Sequence, residues 1–519
     1  MQRLREMEEN RCVADGSAVS QPGRRGAPCL GDDSSQRAQI EGYSGIYLPE
    51  VQDILCRIHS LMPTRYAARA ASVSRAFLQS WRSHPNLALS NFDEVFGSKK
   101  DARPKDERTR DFITRVDGIL KNHSGIGLKT FKLQIFSAKA AHFDHLDSWL
   151  RIAVTPRTEE LMLDLRSTSA KYNFPCSLLS DRTGDSLQYL LLASCNFHPR
   201  IEIGCLRSLT RLHLRKVHIT DGDLGCLLSN SFALELLELS DCSTIICLKI
   251  PCLKKLRHLG VLSCDSLQVV ESKATNLSSL SFVVELHVRL SLGETSLIKE
   301  LDRSCSNVAF YARTELPSSM PNLETLTICS IHEVVDTLPM LPSRFLHLKF
   351  LQIVLGGYKS SISDYFSLVS FLEASPSLET FILRVFPLHE EHVSVFKDPL
   401  VLRTMPEQHH VKLKRVTIIN FYSAKSMVEL ACHILESTTS LEQLTLDTTN
   451  GVHRCSVNKS GKCSGMRRER LVEARRAFLA AQTYIKPKVP STVEYNILEP
   501  CSKCYAVEVE PLDVKNCHI

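Results

Sequence analysis

A short motif, Leu-x-x-Leu-x-Leu, recurs along the chain and constrains its fold more than any other feature. Ten clear copies begin at Leu187, Leu209, Leu234, Leu256, Leu277, Leu323, Leu348, Leu378, Leu413 and Leu441. Weaker copies begin at Leu128 and Thr158. The first five copies start 22, 25, 22 and 21 residues apart, and the 46-residue step from Leu277 to Leu323 leaves room for one degraded copy near residue 300. Such regularity predicts a stack of one repeated structural unit.

Within each copy, leucine alternates with a variable residue, as in a strand that has one buried face. Cys195, Cys242 and Cys264 occupy the ninth position of their copies, where a small side chain with a weakly polar atom suits an inward bend. One unit cannot bury its leucines alone, so neighbours stack around a continuous core with a parallel sheet on one side. Intervals of about 20–29 residues are typical of leucine-rich repeats. We therefore predict an α/β solenoid, a leucine-rich-repeat horseshoe, over residues 126–450.

The variable strand positions would face outward on the concave side of this solenoid. Concave repeat surfaces bind other macromolecules, so we expect a protein substrate there. The positions that represent this predicted surface are Tyr189, Arg211, His213, Glu235 and Glu324.

Residues 42–92 show a helical pattern instead. The apolar stripe that ends at Pro63 consists of Ile54, Leu55, Ile58, Leu61 and Met62, which is helical spacing. A second helical segment runs from Ala67 to Trp81, and Thr64 is positioned to cap it. Helices this short need another surface to pack against.

This helical head resembles an F-box, the motif that binds the Skp-type adaptor of SCF (Skp–cullin–F-box) ubiquitin ligases. The residues that carry the resemblance are Leu48-Pro49, Asp53-Ile54-Leu55, Leu61-Met62-Pro63, Ala67–Ala71, Val73-Ser74-Arg75 and Trp81-Arg82. Together with the repeats and the ending Asn496–Cys504, they make the chain similar to the plant, grass-type F-box leucine-rich-repeat family. Relative to the family pattern, Val51 and Gln52 are inserted before Asp53.

The resemblance implies a substrate-recognition subunit of an SCF-type E3 ubiquitin ligase, with a Skp-type adaptor and a cullin scaffold as partners. The adaptor-binding residues that it implies are Leu48, Pro49, Ile54, Leu55, Ile58, Leu61, Val73 and Trp81. The alternative is a leucine-rich-repeat interaction scaffold with a degenerate F-box and no ligase role. In neither case do we expect an enzyme, catalytic residues or a cofactor.

The composition agrees with an intracellular binding protein, in the cytoplasm or the nucleus. The net charge of +6, from 63 basic and 57 acidic residues in 519, is too small to predict nucleic-acid binding. The 19 cysteines are scattered, many of them among leucines, as free thiols are in a reducing compartment. The N-terminal residues include no apolar stretch that would predict a secretory signal or membrane association.

Two cysteine motifs near the C-terminal end of the sequence are similar to known chemical sites. Cys501-x-x-Cys504, with Cys517 and His518 downstream, offers four possible zinc ligands. A single Cys-x-x-Cys motif, however, arises by chance in a cysteine-rich chain, and we predict no metal. The segment 461–465 around Cys463 is similar to a nucleophile elbow, yet it lies in a polar loop without the strand and helix that this motif needs.

The predicted domain order follows from these patterns. Residues 1–41 form a polar, disordered tail, 42–92 the F-box-like head, 93–125 a linker or N-terminal cap, 126–450 the solenoid and 451–519 a C-terminal cap. In this last segment, a basic helix over 466–482 would turn Leu471, Ala474 and Phe478 towards the end of the core.

Overall fold

In a computed structural model of the chain, the residues described are 49–90, 104–124, 128–136, 138–166, 171–179, 181–199, 206–285, 287–293, 295–330, 333, 338–356, 364–386, 392–397, 402–404, 409–449, 454–455, 461–463 and 465–505. The predicted disordered tail, Leu48, Cys517 and His518 lie outside them. The chain divides into two compact units, Met1–Gln52 and Asp53–Ile519, and the second contains nearly all the described residues.

Three helices lie at the start of the described chain: α1 (Pro49–Leu61), α2 (Thr64–Val73) and α3 (Arg75–Arg82). The second predicted helical segment is divided into α2 and α3, because Ser74 adopts an extended conformation (φ −141°, ψ 128°) between them. Thr64 is the first residue of α2 rather than its cap. Its hydroxyl instead accepts a hydrogen bond from the Ala88 backbone, at 3.2 Å, and so joins the helices to the first strand.

Fifteen strands form one sheet in which each pairs in parallel with its neighbours. In order they are β1 (Asn86–Ser90), β2 (Thr130–Phe136), β3 (Glu160–Arg166), β5 (Tyr189–Ala193), β7 (Arg211–Arg215), β8 (Leu236–Ser240), β10 (His258–Leu262), β12 (Ser279–Val283), β14 (Glu300–Cys305), β15 (Thr325–Ser330), β16 (Phe350–Gly356), β17 (Thr380–Phe386), β18 (Arg415–Ile419), β19 (Gln443–Asp447) and β20 (Glu494–Leu498).

Return segments on the other side of the core contain short strands and helices. The short strands form two small sheets, one of β4 (Tyr172–Asn173) and β6 (Cys195–Asn196), the other of β9 (Cys247–Ile250), β11 (Val269–Ser272) and β13 (Arg289–Ser291). The helices after α3 are α4 (Lys105–Asn122), α5 (Phe143–Ala153), α6 (Asp221–Ser229), α7 (Val308–Thr314), α8 (Leu316–Ser319), α9 (Val369–Glu373), α10 (Lys425–Ser437) and α11 (Arg468–Ala480). None of the helices in the described ranges has the length and apolar composition needed to cross a lipid bilayer.

The repeat motif builds the strands as predicted. In β7, Leu212 and Leu214 are buried while the residues between and beside them are exposed or half-buried. Each of the ten clear copies contributes a strand, and the degraded copy expected near residue 300 is β14. The sheet also continues past the predicted solenoid at both ends, through β1 and β20, because each finds a neighbouring strand with which to pair.

A left-handed residue ends several strands and explains the buried cysteines. Ser194, Asp241 and Ser263 have φ between 53° and 61°, and their N–H groups donate to the strand-end carbonyl of the next repeat, each at 2.8 Å. The turn directs the following residue inward, as the bend in the motif predicted. In all three copies that residue is a cysteine, and the thiols of Cys242 and Cys264 lie 3.4 and 3.9 Å from a carbonyl oxygen of the preceding repeat.

Buried histidines attach the N-terminal helices to the repeats. The His59 ring, which is fully buried, contacts Ser80 Oγ at 2.9 Å and donates to the Ala67 carbonyl at 2.9 Å. His84 donates to the His59 carbonyl and His123 to the His84 carbonyl, each at 3.0 Å. Burial lowers the pKa of His84, which favours the neutral ring whose Nδ1 accepts a hydrogen bond from the Asn86 backbone at 3.2 Å. From Asp53 onward, the helices therefore belong to the same unit as the repeats.

At the other end of the sheet, α11 covers the last repeats. Its buried face consists of Leu471, Ala474, Ala477 and Ala480, so Ala477 takes the inward position that we predicted for Phe478, which is only half-buried. Glu473 accepts a hydrogen bond from the Ser423 backbone at 2.7 Å. The helix thus packs against the end of the core through small side chains.

Candidate binding surfaces

The first candidate surface is an apolar face on α1. Ile54, Ile58 and Leu61 follow one another at intervals of four and three residues, which places them on one side of the helix. Their exposed fractions are 58%, 49% and 73%, and Val73 at the end of α2 is 85% exposed. Large apolar side chains exposed on one side of a helix, as Ile54, Ile58 and Leu61 are on α1, mark an interaction surface more than scattered single ones do. We call these four residues the head face.

The other predicted adaptor-binding residues are placed differently. Leu55 is half-buried, and Trp81 packs inward against the hydrophobic core, with its ring centroid 6.3 Å from that of His59. The side chain of Pro49 lies outside the described residues, as does all of Leu48. Because α1 begins at Pro49, the inserted Val51 and Gln52 lie within the helix and not in a loop.

The second candidate surface lies on the strands, where three predicted substrate-binding residues meet. The Arg211 guanidinium lies over the Tyr189 ring, 4.6 Å from its centroid, and His213 meets the same ring edge-on at 5.3 Å. His213 Nδ1 is 2.6 Å from Glu238 Oε2, and this hydrogen bond lowers the pKa of Glu238. The contacts hold the Tyr189 ring between Arg211 and His213. We call these four residues the strand face.

Charged residues that the sequence did not single out extend the strand face across earlier repeats. Arg211 Nη2 is 3.4 Å from Glu160 Oε1, and Arg215 Nη2 donates to Asp164 Oδ2 at 2.8 Å. Arg211 pairs in register with Tyr189, and Tyr189 with Glu160. Counting the variable positions of neighbouring motifs in register would have found Glu160, because residues in equivalent positions of a solenoid stack in rows.

Glu235 and Glu324, in contrast, lie just before their strands β8 and β15 and not on the strand face. Glu324 bonds to Lys299 and Lys349 of the neighbouring repeats, each at 2.8 Å. These hydrogen bonds lower the pKa of Glu324 to about 2. The Glu324 carboxylate is thus paired with two lysines of the same chain.

A cluster of four thiols lies at the C-terminal end of the sheet. Cys455, Cys463, Cys501 and Cys504 are free, and their sulfur atoms all lie within 4.8 Å of one another. The sequence suggested Cys517 and His518 as further ligands beside Cys501 and Cys504, and both lie outside the described residues. Among the described residues, Cys455 and Cys463 lie next to the pair. Backbone N–H groups of Cys504 and Lys503 lower the pKa of Cys501 to about 7. We call this group the thiol cluster.

A buried acidic–basic group lies under the later repeats. Glu373 Oε1 is 3.6 Å from His410 Nε2 and 3.7 Å from His433 Nε2, and the three side chains are at most 9% exposed. Burial by itself would raise the pKa of Glu373, but the attraction of His410 and His433 lowers it to about 2. The Glu373 carboxylate thus lies between two imidazole rings inside the core.

Comparison with known proteins finds similar sequences among curated plant proteins. The F-box/LRR-repeat protein At3g58940 of Arabidopsis thaliana is 29% identical over 20% of this chain and 16% of its own length. The F-box/FBD/LRR-repeat protein At4g00160 of the same plant is 28% identical over 39% of this chain and 44% of its own length. This chain therefore aligns with less than half the length of these curated relatives. A solved LRR protein of Leptospira interrogans, LIC12759, aligns with 72% of this chain and 92% of its own at 14% identity and a TM-score of 0.27.

A family model provides the decisive comparison. The family described as At1g61320/AtMIF1, LRR domain, matches residues 119–502. This range covers well over half of the chain and includes the strands from β2 to β20. The protein thus belongs to the At1g61320/AtMIF1 leucine-rich-repeat domain family.

Proposed function

We propose that this protein is a substrate receptor of an SCF-type ubiquitin ligase, related to the plant and specifically the grass-type F-box leucine-rich-repeat proteins. The head face would bind a Skp-type adaptor, which links it to a cullin scaffold, and the strand face would bind a protein substrate. The observation that carries the proposal is the exposed apolar face of Ile54, Ile58, Leu61 and Val73 on helices joined to a repeat array. The matched relatives are named F-box/LRR-repeat proteins, which supports the same role.

The proposed mechanism is positioning. An adaptor at one end and a substrate on the repeats would be held at a high effective concentration, so that a partner enzyme transfers ubiquitin. The protein itself would form and break no covalent bond, and we propose that it acts inside the cell.

Replacing Ile58 with Asp should weaken binding of a Skp-type adaptor at least tenfold. The change places a charge in an interface that excludes water, and a tenfold loss corresponds to about 1.4 kcal/mol. The measurement is the dissociation constant of the full chain with purified adaptor. The matched control is Val411→Asp, because Val411 is an aliphatic side chain that is 63% exposed outside the head face. Equal adaptor binding by the two variants would show that the head face is not part of the adaptor interface.

The position of Val51 and Gln52 inside α1 favours a second candidate function. Two additional helical residues rotate what precedes them by about 200°, which would displace Leu48 and Pro49 from the pattern that the F-box resemblance implies. A chain altered in this way would act as a repeat scaffold without a ligase role. Absence of adaptor binding by the wild-type chain would support this function and contradict the first.

The strand face is tested by a variant that leaves the head unchanged. Under proteasome inhibition, wild-type protein should capture both the adaptor and a ubiquitinated protein. Tyr189→Ala with Arg211→Ala should retain the adaptor and lose the ubiquitinated protein, since removal of an aromatic or arginine anchor commonly costs 2 kcal/mol or more, on the order of thirtyfold in affinity. Capture of the same ubiquitinated protein by this variant would place substrate binding elsewhere.

A further inference from the structure

The thiol cluster is a product of the sheet topology. β19 and β20 are parallel neighbours, and their last residues, Asp447 and Leu498, pair in register. Their carboxyl ends therefore meet at the same edge of the sheet. Cys455 and Cys463 follow β19, and Cys501 and Cys504 follow β20, so each strand supplies two of the four thiols.

We propose that the thiol cluster binds one zinc ion with a structural role. Four thiolates in tetrahedral arrangement, with no position left open, are the ligand set of structural zinc sites. With Zn–S bonds of about 2.3 Å, the sulfur atoms of such a site are roughly 3.8 Å apart. Cys455 Sγ and Cys501 Sγ are 3.7 Å apart, and all four sulfurs lie within 4.8 Å. The four atoms thus already surround a space of the size that zinc requires.

Backbone N–H groups beside the cluster donate hydrogen bonds to its sulfur atoms, as they do in metal–thiolate sites. The Cys455 N–H group donates to Cys463 Sγ at 3.3 Å, and the Cys463 N–H group donates to Cys504 Sγ at 3.5 Å. Amide hydrogen bonds to sulfur stabilise the thiolate form and orient the ligands. Binding would displace the thiol protons to solvent as the four Zn–S bonds form.

An arginine next to the cluster holds the two ligand segments together. Arg454 Nη2 donates to Asp447 Oδ1 at 2.7 Å, and Nη1 donates to the Glu499 carbonyl at 3.0 Å. The first contact reaches the end of β19 and the second the segment after β20. Zinc bound by four thiolates carries a net charge of about −2, and Arg454 supplies a positive charge beside it. The site is therefore positioned by protein contacts as well as by the sulfur atoms.

The zinc would close the end of the repeat array. Cys463 and Cys501 lie on either side of α11 and β20 in the sequence, so the metal would join the two ends of the segment that covers the last repeats. β20 pairs with β19 on one side and is the last strand in the sheet order. A metal cross-link at the carboxyl end of β20 opposes separation of β20 from β19, because metal that binds only the folded form adds to the stability of that form.

Metal content tests the proposal. The full chain, purified under reducing conditions without chelator, should contain one zinc ion more per chain than the double variant Cys501→Ser with Cys504→Ser. The matched control is Cys252→Ser, because Cys252 is an exposed free thiol outside the cluster, and this variant should retain the wild-type zinc content. Cobalt-loaded wild type should show the absorption bands of tetrahedral cobalt–thiolate. Equal zinc content in wild type and the double variant, or iron in place of zinc, would overturn the proposal.

Thiol labelling of the wild type tests the same site without relying on a variant that must fold. Addition of a chelator should make four further cysteines reactive, and mass spectrometry should map them to the thiol cluster. The chelator should also lower the unfolding temperature of the wild type. An unchanged labelling pattern would contradict the zinc site, as would disulfides among the four cysteines in freshly purified protein.

Discussion

Arg313→Met is expected to lower the free energy of unfolding by about 3 kcal/mol, because the buried Ser370 carbonyl loses its donor at a cost of about 1–3 kcal/mol and two part-buried carbonyls lose theirs at a smaller cost. Arg313 on α7 is 1% exposed. Its Nε donates to the Ser370 carbonyl at 3.0 Å, Nη1 to the Ser343 carbonyl at 3.1 Å and Nη2 to the Leu341 carbonyl at 2.5 Å. Urea-induced unfolding followed by circular dichroism measures the difference.

The geometry of the guanidinium explains why so much depends on one side chain. Its planar fork reaches two segments that follow different strands, the stretch with Leu341 and Ser343 after β15 and α9 after β16, and a lysine has no such fork. Arg313→Lys should therefore be destabilised as well, though less than Arg313→Met. The control is Arg289→Met, an exposed arginine, for which we expect a change within about 0.5 kcal/mol. If Arg313→Met unfolds within about 1 kcal/mol of the wild type, these bonds do not stabilise the repeats as inferred.

Glu373→Gln should cost about 3 kcal/mol at neutral pH, because it removes the buried charge that faces His410 and His433. The folded pKa of Glu373 is about 2, below its ordinary value of 4.5. A carboxyl with a lowered folded pKa stabilises the fold above its unfolded pKa and loses that contribution as the pH falls towards the folded one. The difference between wild type and variant should be full above about pH 5 and shrink steadily towards pH 2.

Unfolding midpoints of wild type and Glu373→Gln at several pH values between 7 and 3 measure this dependence. Glu235→Gln is the control, because Glu235 is exposed and its loss should leave the midpoint nearly unchanged at every pH. A difference between wild type and Glu373→Gln that stays constant down to pH 3 would show that the carboxylate charge is not what stabilises the group.

The strands could be predicted from local pattern alone. An alternation of buried and exposed residues in a motif such as Leu209–Leu214 is a property of neighbouring residues, and the 46-residue step between two copies located even the degraded copy at β14. β1 and β20 were missed as strands, because they lack the full motif and become strands by pairing with β2 and β19. The apolar spacing predicted helices before the first strand, and the structure contains α1 to α3 there. That spacing could not separate exposed Ile58 from Trp81, which packs against the core.

By itself, the sequence determined the repeat class, the direction of the leucines and most of the strands, since periodic burial is encoded locally. Tertiary structure alone decided which distant residues meet. Cys501 and Cys504 were visible as a pair, but their neighbours Cys455 and Cys463 follow from the register of β19 and β20. The partners of Arg313 and Glu373 likewise lie tens of residues away in sequence. Contacts of this kind depend on how the repeats stack, and no spacing within one motif records them.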